Sequence, residues 1–325
     1  MTHTAKLLPS GHRFMVEGRE PIIDAGLREG INLGRGCANG NCGACKARLV
    51  SGEVRQIQPY DYVFGEAEKA AGFILTCSYT AATDLVLECD EAGSADDIPY
   101  QEIRSSVRRI ERPGEGKMLL HVKTPRTQTL RFLAGQRVTL STPDGLKADL
   151  PVASCPCDGR NLLFVLRDRP DDPFVRHAFD HLAPSQNLIV SGPYGDFSLG
   201  DDAAAPLLFV AFDLGIAPIK SLIEQAMALD KAPRMDLYRT DSSDGRGYLD
   251  RLWRSWQDAL EGFRYVPLPR EASPEQVLAR IAADLPEPGA SDCYVAGPRR
   301  AIEVFREKAP GYALTPSRMR WDVIA

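Results

Sequence analysis

The sequence predicts a multidomain chain, mixing α+β and α/β architecture, in which a small cysteine-bearing unit precedes an antiparallel β-barrel and a doubly wound parallel sheet. Three observations carry this. Four cysteines gather around a glycine-rich loop near the N-terminus. Strand-length runs separated by turn signals follow, and strand and helix patterns then alternate to residue 325. The divisions fall at residues 1–92, a linker at 93–100, 101–202 and 203–325. A chain of 325 residues has the length for two or three domains.

Composition narrows the function classes. Hydrophobic residues make up 44% and charged residues 26%, ordinary usage that sets aside disordered, collagen-like and disulfide-scaffold chains. The net charge of −5 argues against nucleic acid or an anionic membrane as main partner. Residues 1–98 carry 9 basic and 14 acidic side chains and the rest 30 of each, so the whole imbalance lies in the first third. No run approaches the roughly 20 apolar residues that span a bilayer. The opening MTHTAKLLPS lacks a basic-then-apolar signal pattern, so a cytoplasmic protein is expected. Eight cysteines in such a chain point to metal or redox chemistry.

Cys37, Cys42 and Cys45 stand as C-x4-C-x2-C, and Cys77 follows within ILTCS. This is the plant-type [2Fe–2S] spacing. Gly34, Gly36, Ala38, Gly40, Gly43 and Ala44 leave the loop backbone bare, so amide N–H groups can turn towards anionic sulfurs. Zinc fits less well, because structural zinc sites pair two close-spaced knuckles. AKLLPSGHRFMVEG reads as two strands around a Ser-Gly turn, and PIIDAGLREG as a short helix with Ile22, Ile23 and Leu27 on one side. KARLVSGEV and DLVLECD alternate like strands. Cys89, on the second of these, reads as a small buried hydrophobe.

EIRSSVRRIERPG, GKMLLHVKT, GQRVTLSTPDG and NLLFVLRDR are the barrel's strand candidates, and PFVRHAFDHL is its helix. From PLLFVAF to PRRAIEVFREKA, four strand patterns alternate with four helical ones, the pattern of a doubly wound parallel sheet. Cys155 and Cys157, in SCPC, lack the C-x-x-C redox spacing and read as core residues.

The first 92 residues resemble the ferredoxin β-grasp domain. The order of cysteine loop, barrel and α/β unit resembles the iron–sulfur flavoprotein reductases that feed electrons from NAD(P)H to oxygenases, such as the benzoate dioxygenase, phenol hydroxylase and soluble methane monooxygenase systems. The resemblance implies a [2Fe–2S] cluster, FAD and NAD(P)H as cofactors. Hydride enters the flavin and single electrons leave through the cluster, whose potential in this type lies near about −400 mV. A redox partner protein, an oxygenase or another acceptor, is implied.

Carried over by position, the family's flavin motif, Arg-x-Tyr-Ser with an aliphatic residue, Ala and Ser after it, falls on ADLPVASCPC. Val152, Ala153 and Ser154 match its end, while Ala148, Leu150 and Pro151 replace Arg, Tyr and Ser. The backbone amides of Val152 and Ala153 are then expected to stand in. The hydroxyl residue at a helix start becomes Val175, with Asp171 and Asp172 before it and Arg169 and Arg176 to compensate. GPYGDF supplies Gly192, Pro193 and Gly195 to the element that closes the flavin barrel.

In the third unit Gly215, Ile216, Ala217 and Pro218 match the family's Gly-Gly-Thr-Gly-Ile-Ala-Pro, but Phe212, Asp213 and Leu214 replace its first three residues. Asp213 is expected to fill the anion site at the helix start. YVAGPRR keeps Gly297 and Pro298 and puts Ala296 at the family's cysteine position, with Cys293 on the opposite face of the strand. Arg239, Arg299 and Arg300 are candidates for the adenosine end, and Trp321 for covering the flavin ring.

The acidic N-terminal third implies a partner with a basic docking patch. Two further functions are weighed against the reductase: a scaffold that has lost nucleotide binding and relays electrons through its cluster, and a redox sensor or assembly protein.

Overall fold

A computed structural model describes residues 2–28, 31, 33, 40–41, 43, 45–89, 98, 100–114, 116–125, 128–200, 205–228, 232–240 and 249–324. Cys37, Cys42 and most of the expected linker lie outside the described residues, as does the side chain of Cys157.

The N-terminal part runs β1 (Thr2–Leu8), β2 (Arg13–Glu17), α1 (Ile22–Arg28), β3 (Lys46–Ser51), β4 (Val54–Gln56), α2 (Glu66–Ala70), β5 (Phe73–Leu75), β6 (Tyr79–Ala81) and β7 (Leu85–Glu88). Five strands form a mixed sheet in the order β2-β1-β7-β3-β5, with β1 and β7 parallel, and β4 and β6 pair separately. Alternation fixes the inward face. Ala5 and Leu7 of β1, Phe14 and Val16 of β2, and Leu85 and Leu87 of β7 are buried, and they share a core with Ile22, Ile23 and Ala25 of α1. Cys45, Cys77 and Cys89 are buried in the same core.

The barrel comprises β8 (Gln101–Gly114), β9 (Lys117–Lys123), β10 (Arg137–Ser141), β11 (Lys147–Pro151), β12 (Asn161–Arg167), α3 (Pro173–Asp180) and β13 (Asn187–Tyr194). Its six antiparallel strands lie in the order β11-β10-β13-β8-β9-β12. The four strands read from the sequence are present. β11 and β13 were not read, because Pro151 ends one and Gly192-Pro193 interrupts the other. Phe174, Val175 and Ala178 of α3 plug the core beside Leu150 and Val152.

The last part runs β14 (Leu207–Ala211), α4 (Ile216–Ala228), β15 (Met235–Arg239), α5 (Asp250–Ala259), β16 (Phe263–Pro267), α6 (Pro274–Asp284), β17 (Asp292–Gly297), α7 (Arg299–Lys308) and β18 (Met319–Val323). All five strands are parallel, in the order β16-β15-β14-β17-β18. β14 is buried throughout, as a central strand covered by helices on both faces must be. α4 and α5 cover one face through Ile219, Leu222 and Trp253, while α6 and α7 cover the other through Leu278, Ile281 and Phe305. The strand order reverses between β14 and β17, and that crevice is where such sheets take ligands.

Candidate functional site: a cysteine pocket and a barrel–sheet cleft

Cys45 and Cys77 come together. Their sulfurs stand 3.2 Å apart, and both side chains are buried. Cys45 ends the cysteine loop immediately before β3, and Cys77 lies between β5 and β6, so the β3–β5 pairing (Lys46 opposite Leu75) sets their approach. Thr76 clamps the pair, its N–H and its hydroxyl both donating to the Cys45 carbonyl at 3.0 Å. The Gln58 amide donates to the Cys77 carbonyl at 2.7 Å. Lys46 holds the loop from outside, reaching Glu68 at 2.5 Å and the Tyr62 hydroxyl at 3.1 Å. The Glu68 hydrogen bond raises the Lys46 pKa, and Lys46 in turn lowers that of Glu68.

Two glycines show how closely this loop is packed. At Gly40 (φ +79°) a Cβ would stand 2.3 Å from the Tyr60 Cβ, and at Gly43 (φ +71°) one would stand 2.3 Å from the Tyr62 ring. The described half of the site fits a [2Fe–2S] cluster: two buried cysteine sulfurs brought together from the end of the loop and from the β5–β6 connection, beside glycines at 40 and 43 where a side chain would clash.

The second site is the cleft between the barrel and the parallel sheet. Leu119, Ala153, Leu163 and Val165 of the barrel pack on Leu214, Ala217 and Ile324. Polar contacts frame this apolar patch. The Ser221 hydroxyl donates to the Ser154 carbonyl at 2.7 Å, Arg137 pairs with Asp322 at 2.6 Å, and Arg167 pairs with Asp213. Burial raises the Asp322 pKa against the pull of Arg137. At the crevice between β14 and β17, a Cβ on Gly215 would lie 1.9 Å from the Ala296 carbonyl oxygen, and one on Gly297 (φ +156°) 2.5 Å from the Phe212 Cβ. The two loops touch there, with Ile216, Ala217 and Pro218 buried in the first turn of α4. Pro298 caps α7 and is exposed.

Several sequence expectations change at this level. The amides of Val152 and Ala153 are already committed, donating to the carbonyls of Gln136 (3.0 Å) and Leu163 (2.8 Å), so they do not replace the absent flavin contacts. Ser154 is likewise tied into the fold, its hydroxyl accepting from the Leu163 N–H. Asp213, with φ +51°, presents its carboxylate to Arg167 across the cleft. Asp172 caps α3 itself, accepting from the Val175 N–H at 3.0 Å, with Arg169 beside it at 3.3 Å, while Arg176 turns to Asp180.

Arg239 does not face a nucleotide. It is fully buried and pairs with Asp250, which also accepts from the Tyr265 hydroxyl. Trp321 stacks on Arg306 at 3.6 Å on the edge strand, and Ile324 takes the place in the cleft. Arg299 and Arg300 are exposed at the start of α7. Cys293 is a core residue, as read. Cys155 is buried but disulfide-bonded, which corrects its reading as a packing thiol.

Gly192 and Pro193 end β13 through a cis peptide, and the Gly195 carbonyl accepts from the Gln136 amide at 3.1 Å. Phe197 then enters the core of the parallel sheet against Tyr294. GPYGDF therefore joins barrel to sheet. The nucleotide scaffold of the family is present, but next to Val175, which stands at the expected hydroxyl position, and in the turn expected to be glycine-rich, this chain carries its own carboxylates, Asp172 and Asp213, each engaged within the fold, which does not match that mode of diphosphate binding.

A cysteine-loop unit joined to a reductase-like barrel and parallel sheet defines a modular electron-transfer protein. Residues 5–82 match the 2Fe-2S iron-sulfur cluster binding domain. The chain is 29% identical over 268 residues, 82% of its length and 80% of the relative's, to the CDP-6-deoxy-L-threo-D-glycero-4-hexulose-3-dehydrase reductase of Yersinia pseudotuberculosis. It is 28% identical to the phenol 2-monooxygenase reductase component DmpP of Pseudomonas sp. CF600, over 84% of this chain and 78% of that one. The cytochrome P450 reductase GcoB of Amycolatopsis superposes over 99% of this chain and 98% of its own, with a TM-score of 0.62 at 23% identity. The whole chain is thus similar to iron–sulfur flavoprotein reductases, in which a ferredoxin-type [2Fe–2S] domain is coupled to ferredoxin-reductase-like FAD and NAD modules.

Proposed function

We propose that the protein is an electron-transfer oxidoreductase, an NAD(P)H-dependent ferredoxin-type reductase that passes electrons from NAD(P)H through FAD to a [2Fe–2S] cluster and on to a partner such as an oxygenase. The buried Cys45–Cys77 pair inside a matched cluster domain carries the reading. Cys37 and Cys42 complete the ligand set. The cluster supplies one-electron chemistry at low potential when bound. The chain's own residues hold the ligands in place: Thr76 and Gln58 fix the backbone of two of them, and Tyr60 and Tyr62 pack against Gly40 and Gly43. Val152 to Ser154, Gly192, Pro193, Gly195, Gly215 to Pro218, Gly297 and Pro298 border the proposed nucleotide cleft.

The acceptor is a protein with a basic docking patch that meets the acidic first third, and the reductase works in the cytoplasm. Among the described residues, no helix is long and apolar enough to cross a membrane. Rates of reduction of the partner fall as ionic strength rises if this docking is right, and a salt-independent rate overturns it.

A second reading is favoured by Asp172, just before the expected hydroxyl position at Val175, and by Asp213, in the expected glycine-rich turn: a relay that keeps the scaffold without using nucleotides. An anaerobic spectrum with flavin and iron quantified separates the two. One flavin per two irons, with bleaching by NADH or NADPH, supports the reductase. A flavin-free cluster reduced only by dithionite supports the relay.

A further inference from the structure

The outer wall of the barrel holds a groove of about 680 Å³ that shares no lining residue with the cysteine pocket or the cleft. Three cations line it, Arg104 from β8, Lys123 from β9 and Arg160 from the segment leading into β12. No carboxylate lines it among the described residues. Of the acids close in sequence to the lining, Asp144 is held by the Thr142 side chain, and Asp158 accepts from the backbone amides of Arg160 (3.2 Å) and Asn161 (3.1 Å) and from the Asn161 side chain. The Arg160 Nε is buried and lacks a hydrogen-bond partner. In a chain with more acids than bases, such an unbalanced positive concavity focuses field on an anion.

The walls are held in register. Ser106 lies opposite both Lys123 and Asn187, and the Thr124 N–H donates to the Arg160 carbonyl at 3.0 Å, which ties the third cation to the strand carrying the second. Ser106 and Thr124 add hydroxyls between the cations, and Pro125, Pro143 and Ile189 give an apolar rim. The volume lies in the range of small-molecule sites and exceeds what one inorganic anion fills. Guanidinium groups match phosphate oxygens in pairs, and three positive charges balance a diphosphate.

We propose that this groove is a binding site for a nucleoside diphosphate, with the phosphates on Arg104, Lys123 and Arg160 and the base against the proline rim. The test is calorimetric titration of ADP into the cluster-loaded full chain, with and without saturating NAD+, so that binding is read independently of electron transfer. The expected result is ADP binding that persists with NAD+ present and weakens tenfold or more in Lys123→Ala/Arg160→Ala. Arg104→Glu, at an exposed strand position, provides a second variant with the same expected loss, and unchanged cluster absorption confirms folding. The proposal is overturned by absence of ADP binding, by binding that NAD+ abolishes, or by binding that the variants leave intact. Inorganic pyrophosphate binding as tightly as ADP also overturns it, since the groove would then be an unspecific anion patch.

Discussion

Gly40→Ala tests whether the cysteine loop depends on bare backbone. Gly40 holds φ +79°, and its added Cβ would stand 2.3 Å from the Tyr60 Cβ and 3.0 Å from both the Tyr60 Cα and the Ser78 Oγ. The left-handed conformation costs an L-residue about 1–2 kcal/mol. The clash adds about 1–3 kcal/mol, typical of overpacking, because a Cβ and a Cα retreat only with their backbone. The loop has little freedom to yield, since the Tyr62 N–H holds the Gly40 carbonyl at 3.0 Å. The sum, about 2–5 kcal/mol, is a large share of the stability of a small domain, about 5–15 kcal/mol. Its melting temperature falls by about 10 °C or more. Iron and sulfide content, with a thermal melt followed by cluster absorption, reads both loading and stability. Gly11→Ala separates the two contributions: Gly11 has the same φ of +79° with nothing within 4 Å of its Cβ, so it loses the conformational part alone. A Gly40→Ala protein with full iron content that melts no lower than Gly11→Ala would refute the reasoning.

Three other outcomes are expected. Asp213→Gly removes the carboxylate from the turn before α4 and raises NADH affinity about 2–5-fold, the equivalent of about 0.3–1 kcal/mol at a helix start; saturation of NADH-dependent bleaching measures it, and an unchanged affinity counts against the carboxylate's blocking role. Asp250→Ala removes an ion-pair partner of the fully buried Arg239 guanidinium and costs about 3–5 kcal/mol, seen as early melting of the parallel sheet, whereas wild-type melting would show the pair to be dispensable. His121, on β9, has its pKa lowered chiefly by burial, with Glu111 opposing. Its contribution to stability is therefore present above the unfolded value of 6.5 and lost as pH falls through the folded one. His121→Gln should flatten the barrel's melting profile on the acid side of 6.5, and a profile that keeps its acid slope assigns that slope to other groups.

The order of architectures was legible because each leaves a local pattern. The C-x4-C-x2-C spacing is contained within one stretch of sequence, and the strand–helix alternation from β14 to α7 follows from burial on both faces of a parallel sheet. Partners far apart in sequence were not legible. Asp213 looked like a group at a helix start, but its ion-pair partner Arg167 lies 46 residues earlier on a barrel strand. Arg239 is a candidate for the adenosine end on sequence, but Asp250, 11 residues further on, is its partner in the core, and Tyr265 shares that carboxylate. The amides of Val152 and Ala153 looked available because a motif comparison counts side chains, while their ladder partners belong to the preceding turn and β12. Ile324 carried no sequence signal at all, since one aliphatic residue after a strand resembles any other.

Cys293 is the only cysteine of residues 203–325. Fully buried, with its thiol pushed up by burial, it is held away from the reactive thiolate form. Ala296 stands at the strand end where the family places a thiol beside the nicotinamide. Alkylating reagents and peroxide therefore find no sulfur to attack at that end of the crevice, and oxidative damage to this protein should begin elsewhere. Maleimide labelling thus becomes a readout of the other end of the chain: on the proposed ligation, Cys45 and Cys77 resist modification in the iron-loaded protein and react once the metal is stripped.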